Sequence, residues 1–120
     1  MKPSTAKAKG AATEVAYVDF LRKNGVPNAE RRHLNGVLDK GDVAGWNAPD
    51  GSWNVVVEIK SGAVLSIPKW IKELRAEVRN ANAITGHIVI RPKGLPDPKD
   101  WWVVMPVPEF MDLMEKAGYV

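Results

Sequence analysis

Between positions 53 and 60 apolar and polar residues alternate. Trp53, Val55, Val57 and Ile59 fall on one face and Asn54, Val56, Glu58 and Lys60 on the other, which is the two-residue period of a β-strand. This is the best strand in the chain and is expected at the centre of a sheet. A helical period takes over at Ile67, Trp70, Ile71, Leu74 and Val78. It predicts an amphipathic helix capped by Ser66, with Pro68 tolerated in its first turn and Lys69, Lys72, Arg75 and Arg79 on its other face. Earlier, Val15, Val18 and Leu21 predict a helix over 11–24, stopped by Asn24-Gly25 and Pro27, with Arg22-Lys23 suiting its C-terminal dipole. Short strands over 28–34 and 41–46, a strand over 85–91, a Pro-rich loop over 92–98, a last strand over 101–105 and a short helix over 109–117 complete the pattern. The order αβββαββα predicts an α/β (α+β) architecture, a mixed sheet flanked by helices.

A length of 120 residues bounds the chain to one domain with one core. Residues 1–10, rich in Lys, Ala, Ser and Thr, read as a flexible basic arm ahead of a single domain over 11–120. The absence of cysteine excludes a disulfide framework, a thiolate metal site and a Cys nucleophile. Neither a signal-type apolar run nor a membrane-length one is visible, so an intracellular, cytoplasmic protein with no membrane partner is expected. The net charge of +3 is mild, but its distribution is uneven. A short acidic stretch over 41–60 lies between two segments with an excess of Lys and Arg, compatible with a nucleic-acid surface.

Strand alternation puts Glu58 and Lys60 on one face among valines, where burial of charge costs several kcal/mol unless the groups are paired or bind metal. By itself this is an ordinary Glu/Lys pair on an exposed sheet face. Asp42 opens a short strand after Gly41, and a hairpin would bring its carboxylate beside Glu58; equally, Asp39-Lys40-Gly41-Asp42 is turn chemistry. Glu14 projects between Val18 and Leu21 on an apolar helix face, where it either wants a partner or simply favours the helix dipole.

Together, Lys9-Gly10, Glu14, Gly41-Asp42-Val43 and Val57-Glu58-Ile59-Lys60-Ser61 resemble the PD-(D/E)XK nucleases, and among them the small Holliday-junction resolvases of archaea and phages. The resemblance covers residues 9–61 and the following helix. Gly41 stands where the family name has Pro. The resemblance implies a restriction-endonuclease-like fold in which Asp42 and Glu58, with Glu14 close by and the Ile59 carbonyl, hold Mg²⁺ or Mn²⁺. It also implies that Lys60 positions a water and offsets developing charge, and that the protein acts as a homodimer on four-way DNA junctions, in a phage-encoded setting or otherwise. Oxygen-only ligands suit a hard cation of this kind. A flap or nick nuclease of the same fold and a non-catalytic DNA-binding module are the alternatives.

Lys9, Arg31, Arg32, Ser61, Lys69, Lys72, Arg75 and Arg79 are candidate DNA contacts, although a basic helix face is commonly just solvated. His33 and His87 lie on separate predicted strands and read as ordinary surface or core histidines. The five tryptophans read mostly as core; because neighbouring side chains alternate, one of Trp101 and Trp102 should face outward.

Overall fold

The computed structural model describes residues 3–32, 38–62 and 65–120, with side chains from residue 10 onward. The elements are α1 (Pro3–Lys23), β1 (Glu30–Arg31), β2 (Val43–Ala44), β3 (Val55–Ser61), α2 (Ile67–Ala81), β4 (Thr85–Arg91), a single 3₁₀ turn at Pro98–Asp100, β5 (Trp102–Val104) and α3 (Val107–Lys116). They form a mixed α+β fold. Helix α1 starts at Pro3 rather than at Ala11, so part of the segment expected as an arm is helical. His33 and the end of the strand expected over 28–34 lie outside the described residues.

The main sheet has the order β3-β4-β5, with β3 parallel to β4 and β5 antiparallel to it. A parallel pair needs a crossover, and α2 supplies it. The central strand is therefore β4, not β3. On its outer side β3 carries an irregular segment instead of a full ladder: the Asp42 N–H donates to the Val57 carbonyl at 2.8 Å, the Val55 N–H donates to the Trp46 carbonyl at 3.0 Å, and Asn47 bridges Asn54. The expected hairpin is thus present in loosened form, because the two residues of β2 spend their ladder on β1.

The alternation of β3 divides two cores where one was expected, because both faces of the sheet are covered by a helix. Val57 packs with Tyr17, Val18, Leu21, Val43 and Val89 beneath α1, flanked by Val55 and Ile59. Val56 packs with Leu74, Ile88 and Ile90 beneath α2, flanked by Ile67, Trp70, Ile71 and Val78. Where α2 crosses β4, a side chain on Gly86 would collide with Val78 and Leu74, so the close approach requires glycine. In α1 the inward row is Thr13, Tyr17, Val18 and Leu21, whereas Val15, expected inside, is 52% exposed. At about 100° per residue Val15 lies one step round from Glu14 and has already turned outward. Ser66 makes no side-chain cap bond. A cap reaches the second or third helical N–H, and Pro68 has removed one of these.

Trp101 stacks on Tyr17 and donates its indole N–H to the Leu95 carbonyl, while Trp102 is half exposed, as alternation requires. No described helix is long and apolar enough to cross a membrane.

His87 is a core histidine, 7% exposed against the edge of the Trp46 ring. Burial pulls its pKa down to about 4. A base depressed by folding stabilises fully above its ordinary value near 6.5, and that stability is lost as pH falls through 4, up to roughly 3 kcal/mol. His87→Phe is expected to flatten this part of the stability profile, measured as urea-unfolding free energy from about pH 7 to 4. Equal slopes for the two proteins would contradict it.

Candidate active site

Asp42 sits where the loop following residue 38 meets the outer edge of β3. It grips that edge twice, through its main-chain N–H on Val57 and through its Oδ2, which accepts the Ile59 N–H at 2.7 Å. Along an extended strand the N–H and C=O of one residue point to the same edge, so the Ile59 carbonyl faces the Asp42 side as well. Burial and then the Glu58 charge push the Asp42 carboxyl up to about 7, against the pull of the Ile59 bond; Glu14 and Asp39 add to the rise.

Glu58 lies on the opposite, α2-facing side of the strand and is 9% exposed. Its Oε1 is 3.5 Å from Lys60 Nζ, while its Oε2 is buried without a hydrogen-bond partner. Lys60 also meets Glu73 Oε2 at 3.4 Å and lies 5.6 Å from the centre of the Trp70 ring. Burial favours the neutral amine, but Glu58 and Glu73 together outweigh it and hold the lysine above its usual range. The ammonium is therefore kept charged beside the acidic edge.

Of the predicted ligands only Glu58 joins a tight carboxylate group, with two residues that the sequence pattern did not single out. One ligand oxygen each from Asp39, Glu58 and Glu77 lies within 4.8 Å of the others. Glu77 is 3% exposed and its Oε1 has no partner. Burial first, then Glu58 and Asp39, push its carboxyl far up, to about 10. The loop is held there by Asn80, whose side-chain amide donates to the Asp39 carbonyl at 2.9 Å, and by the Gly41 N–H on Asp39 Oδ1 at 2.9 Å.

Glu14 is close enough for Asp42 to feel its charge, but it is tied to Arg31 Nε at 3.2 Å, and like Asp42 it stands outside the tight group. A cation drawing on Glu14 would have to displace that guanidinium. Arg32 is also turned inward, with Nη2 3.4 Å from the Val43 carbonyl and a buried Nε without a partner. Neither arginine is a freely presented phosphate contact. Lys69, Lys72, Arg75 and Arg79 are exposed along α2, as the helical period predicts. Ser61 lines a cavity of about 370 Å³ with Thr13, Gly62 and two cations not picked out earlier, Arg91 and Lys93. The Lys9 side chain is outside the described set.

The donor set around Asp42 and Glu58 is oxygen only and includes a buried carboxylate oxygen without a partner, which fits a hard divalent cation. Compared with family models, curated proteins and solved structures, the chain matches none.

Proposed function

We propose that this chain is a metal-dependent, structure-selective DNA endonuclease, of the type that resolves Holliday junctions, hydrolysing phosphodiesters. One arrangement carries the reading: a loop carboxylate anchored to the Ile59 N–H (Asp42) feels the charge of a buried carboxylate with a free oxygen (Glu58), and Glu58 is paired with a lysine held charged (Lys60). Asp42, Glu58 and the Ile59 carbonyl would hold Mg²⁺ or Mn²⁺, with Glu14 a further candidate if Arg31 yields. Such a cation supplies charge neutralisation at the phosphate and makes a water more acidic. The chain's own residues do the rest. Asp42 keeps its oxygens fixed by using one on the Ile59 N–H. Lys60, with carboxylates on two sides, is already oriented before substrate arrives and offsets negative charge as it grows on the phosphate. The exposed cations of α2 and those of the Arg91/Lys93 cavity offer positive charge for the DNA backbone.

Cutting two opposed strands of one junction needs two such sites, so the acting form is a homodimer. Trp102, Val103, Phe110, Met111 and Leu113 are exposed on β5 and α3 and supply apolar surface for it. Trp101 and Val104 pack inward and leave that surface.

Lys60→Ala tests the reading. It is expected to lose nearly all cleavage of junction DNA in Mg²⁺ and to stay folded, with a lower melting temperature because buried Glu58 loses its ion-pair partner. Full turnover by the folded variant would overturn the role.

A further inference from the structure

We infer that Asp39, Glu58 and Glu77 form a second divalent-cation position, in which Glu58 is shared with the Asp42 edge and α2 supplies a ligand through Glu77. The inference rests on the nuclease reading only through Glu58, which both positions use. Three carboxylates converge to within 4.8 Å, and proximity alone proves little, since acidic clusters without an ion are common. What distinguishes this one is its orphaned oxygens. Glu77 is 97% buried by its 3% exposure, and Glu77 Oε1 and Glu58 Oε2 are both buried without a hydrogen-bond partner. A carboxylate shut off from water holds a proton, accepts from a donor or coordinates a cation; alone, Glu77 holds a proton that Glu58 or Asp39 can accept, and a cation at this position would take that proton's place. Lys60 cannot serve both needs, because its ammonium is on the Glu58 Oε1 and Glu73 side.

The positions of these residues are also built rather than accidental. Asp39 is exposed, yet its backbone is anchored to α2 by Asn80 and its side chain accepts the Gly41 N–H. Glu77 sits beside Leu74 and Val78 in the buried row of α2, where an apolar residue would satisfy the core at lower cost. Loop, strand and helix thus each contribute one hard oxygen ligand, the donor chemistry of Mg²⁺ or Mn²⁺. A cation there would tie the loop that carries Asp42 to α2, and so set the height of Asp42 against β3.

The probe is Mn²⁺ alone, titrated into the full chain without DNA and followed by the loss of the free-ion electron paramagnetic resonance signal, with a thermal melt of every variant. Glu77→Gln and Asp39→Asn are expected to stay folded and to weaken Mn²⁺ binding by about tenfold or more, and to lose the Mn²⁺-induced rise in melting temperature. Asp42→Asn, which removes a ligand of the other position, is expected to lower that rise but to keep the part that Glu77→Gln removes. Asp39 lies on an exposed loop, so its variant remains informative if Glu77→Gln folds poorly. Parental Mn²⁺ binding in both folded variants, no binding by the parent, or a loss in the Asp42→Asn/Glu77→Gln double variant no greater than in Asp42→Asn alone would each overturn the second position. Cleavage assays report separately: junction cutting with unchanged Mn²⁺ binding in the Glu77 variant defeats this inference alone, whereas a Glu77-dependent Mn²⁺ site in a protein that cuts no DNA defeats the nuclease reading alone.

Discussion

Replacing Glu58 by Gln, or Asp42 by Asn, is expected to slow Mg²⁺-dependent cleavage about a thousandfold or more, equivalent to roughly 4 kcal/mol of barrier, while DNA binding is kept or strengthened. Each amide removes a negative charge that would face the phosphate and repel it. Neither should unfold the protein. Asn at position 42 keeps an oxygen able to accept the Ile59 N–H, the bond that holds the loop on β3. The Asp42 carboxyl is pushed up to about 7 by burial and by Glu58. It binds a proton more tightly folded than unfolded, so its ionised form is the one that costs stability, and the amide relieves it. Gln at position 58 likewise removes charge from the crowded Asp39–Glu58–Glu77 group. Single-turnover cleavage, gel-shift binding and a thermal melt on each variant check the prediction; parental rates in both would remove these residues from the site.

Gly41→Pro, the change that would write the family's proline into this chain, is expected to lower stability by about 3 kcal/mol or more, visible as a melting temperature down by roughly 10 °C or more. Gly41 has φ +93°, a left-handed conformation that the proline ring forbids. Its N–H donates to Asp39 Oδ1, a bond proline cannot make. A side chain there would also meet Val56 Cγ1 and the Val57 carbonyl, both at 2.9 Å. The glycine is therefore not a neutral substitute for proline in shape: this loop reaches β3 by a different backbone path. A Gly41→Pro protein that melts with the parent would contradict that path.

The parts of the fold legible in the sequence are those where one period runs long enough to outweigh local exceptions. The alternation from Val55 to Ile59 divides the two cores as read, and the Ile67–Trp70–Ile71–Leu74–Val78 row packs against β4 with its cations outside. The central position of β3 was not legible, because a strand's hydrophobicity does not say what occupies its edge, and here an irregular segment does. In α1 the polar Thr13 is buried and Val15 exposed, a rotation that three apolar residues could not fix.

The approach of the Asp42 loop to β3 and the Glu58–Lys60 pair are legible from hairpin spacing and alternation, whereas their reading as a site comes from the resemblance. Glu77 carries a signal of its own: a carboxylate between Leu74 and Val78 in an apolar helical row is as anomalous as Glu14 in the first helix. Asp39 had none beyond its turn. Its role depends on the loop folding back onto α2 through Asn80, forty-one residues on, a contact no local pattern encodes.

The nuclease reading is tested most directly by incubating the purified protein with a labelled four-way junction, a flap and a linear duplex, each in Mg²⁺ and in EDTA, and mapping any cut strands. The account predicts cleavage of the junction in Mg²⁺ with paired cuts on opposed strands, much slower cleavage of the linear duplex, and none in EDTA. Equal cutting in EDTA, or an intact junction in both Mg²⁺ and Mn²⁺ with well-folded protein, would contradict it.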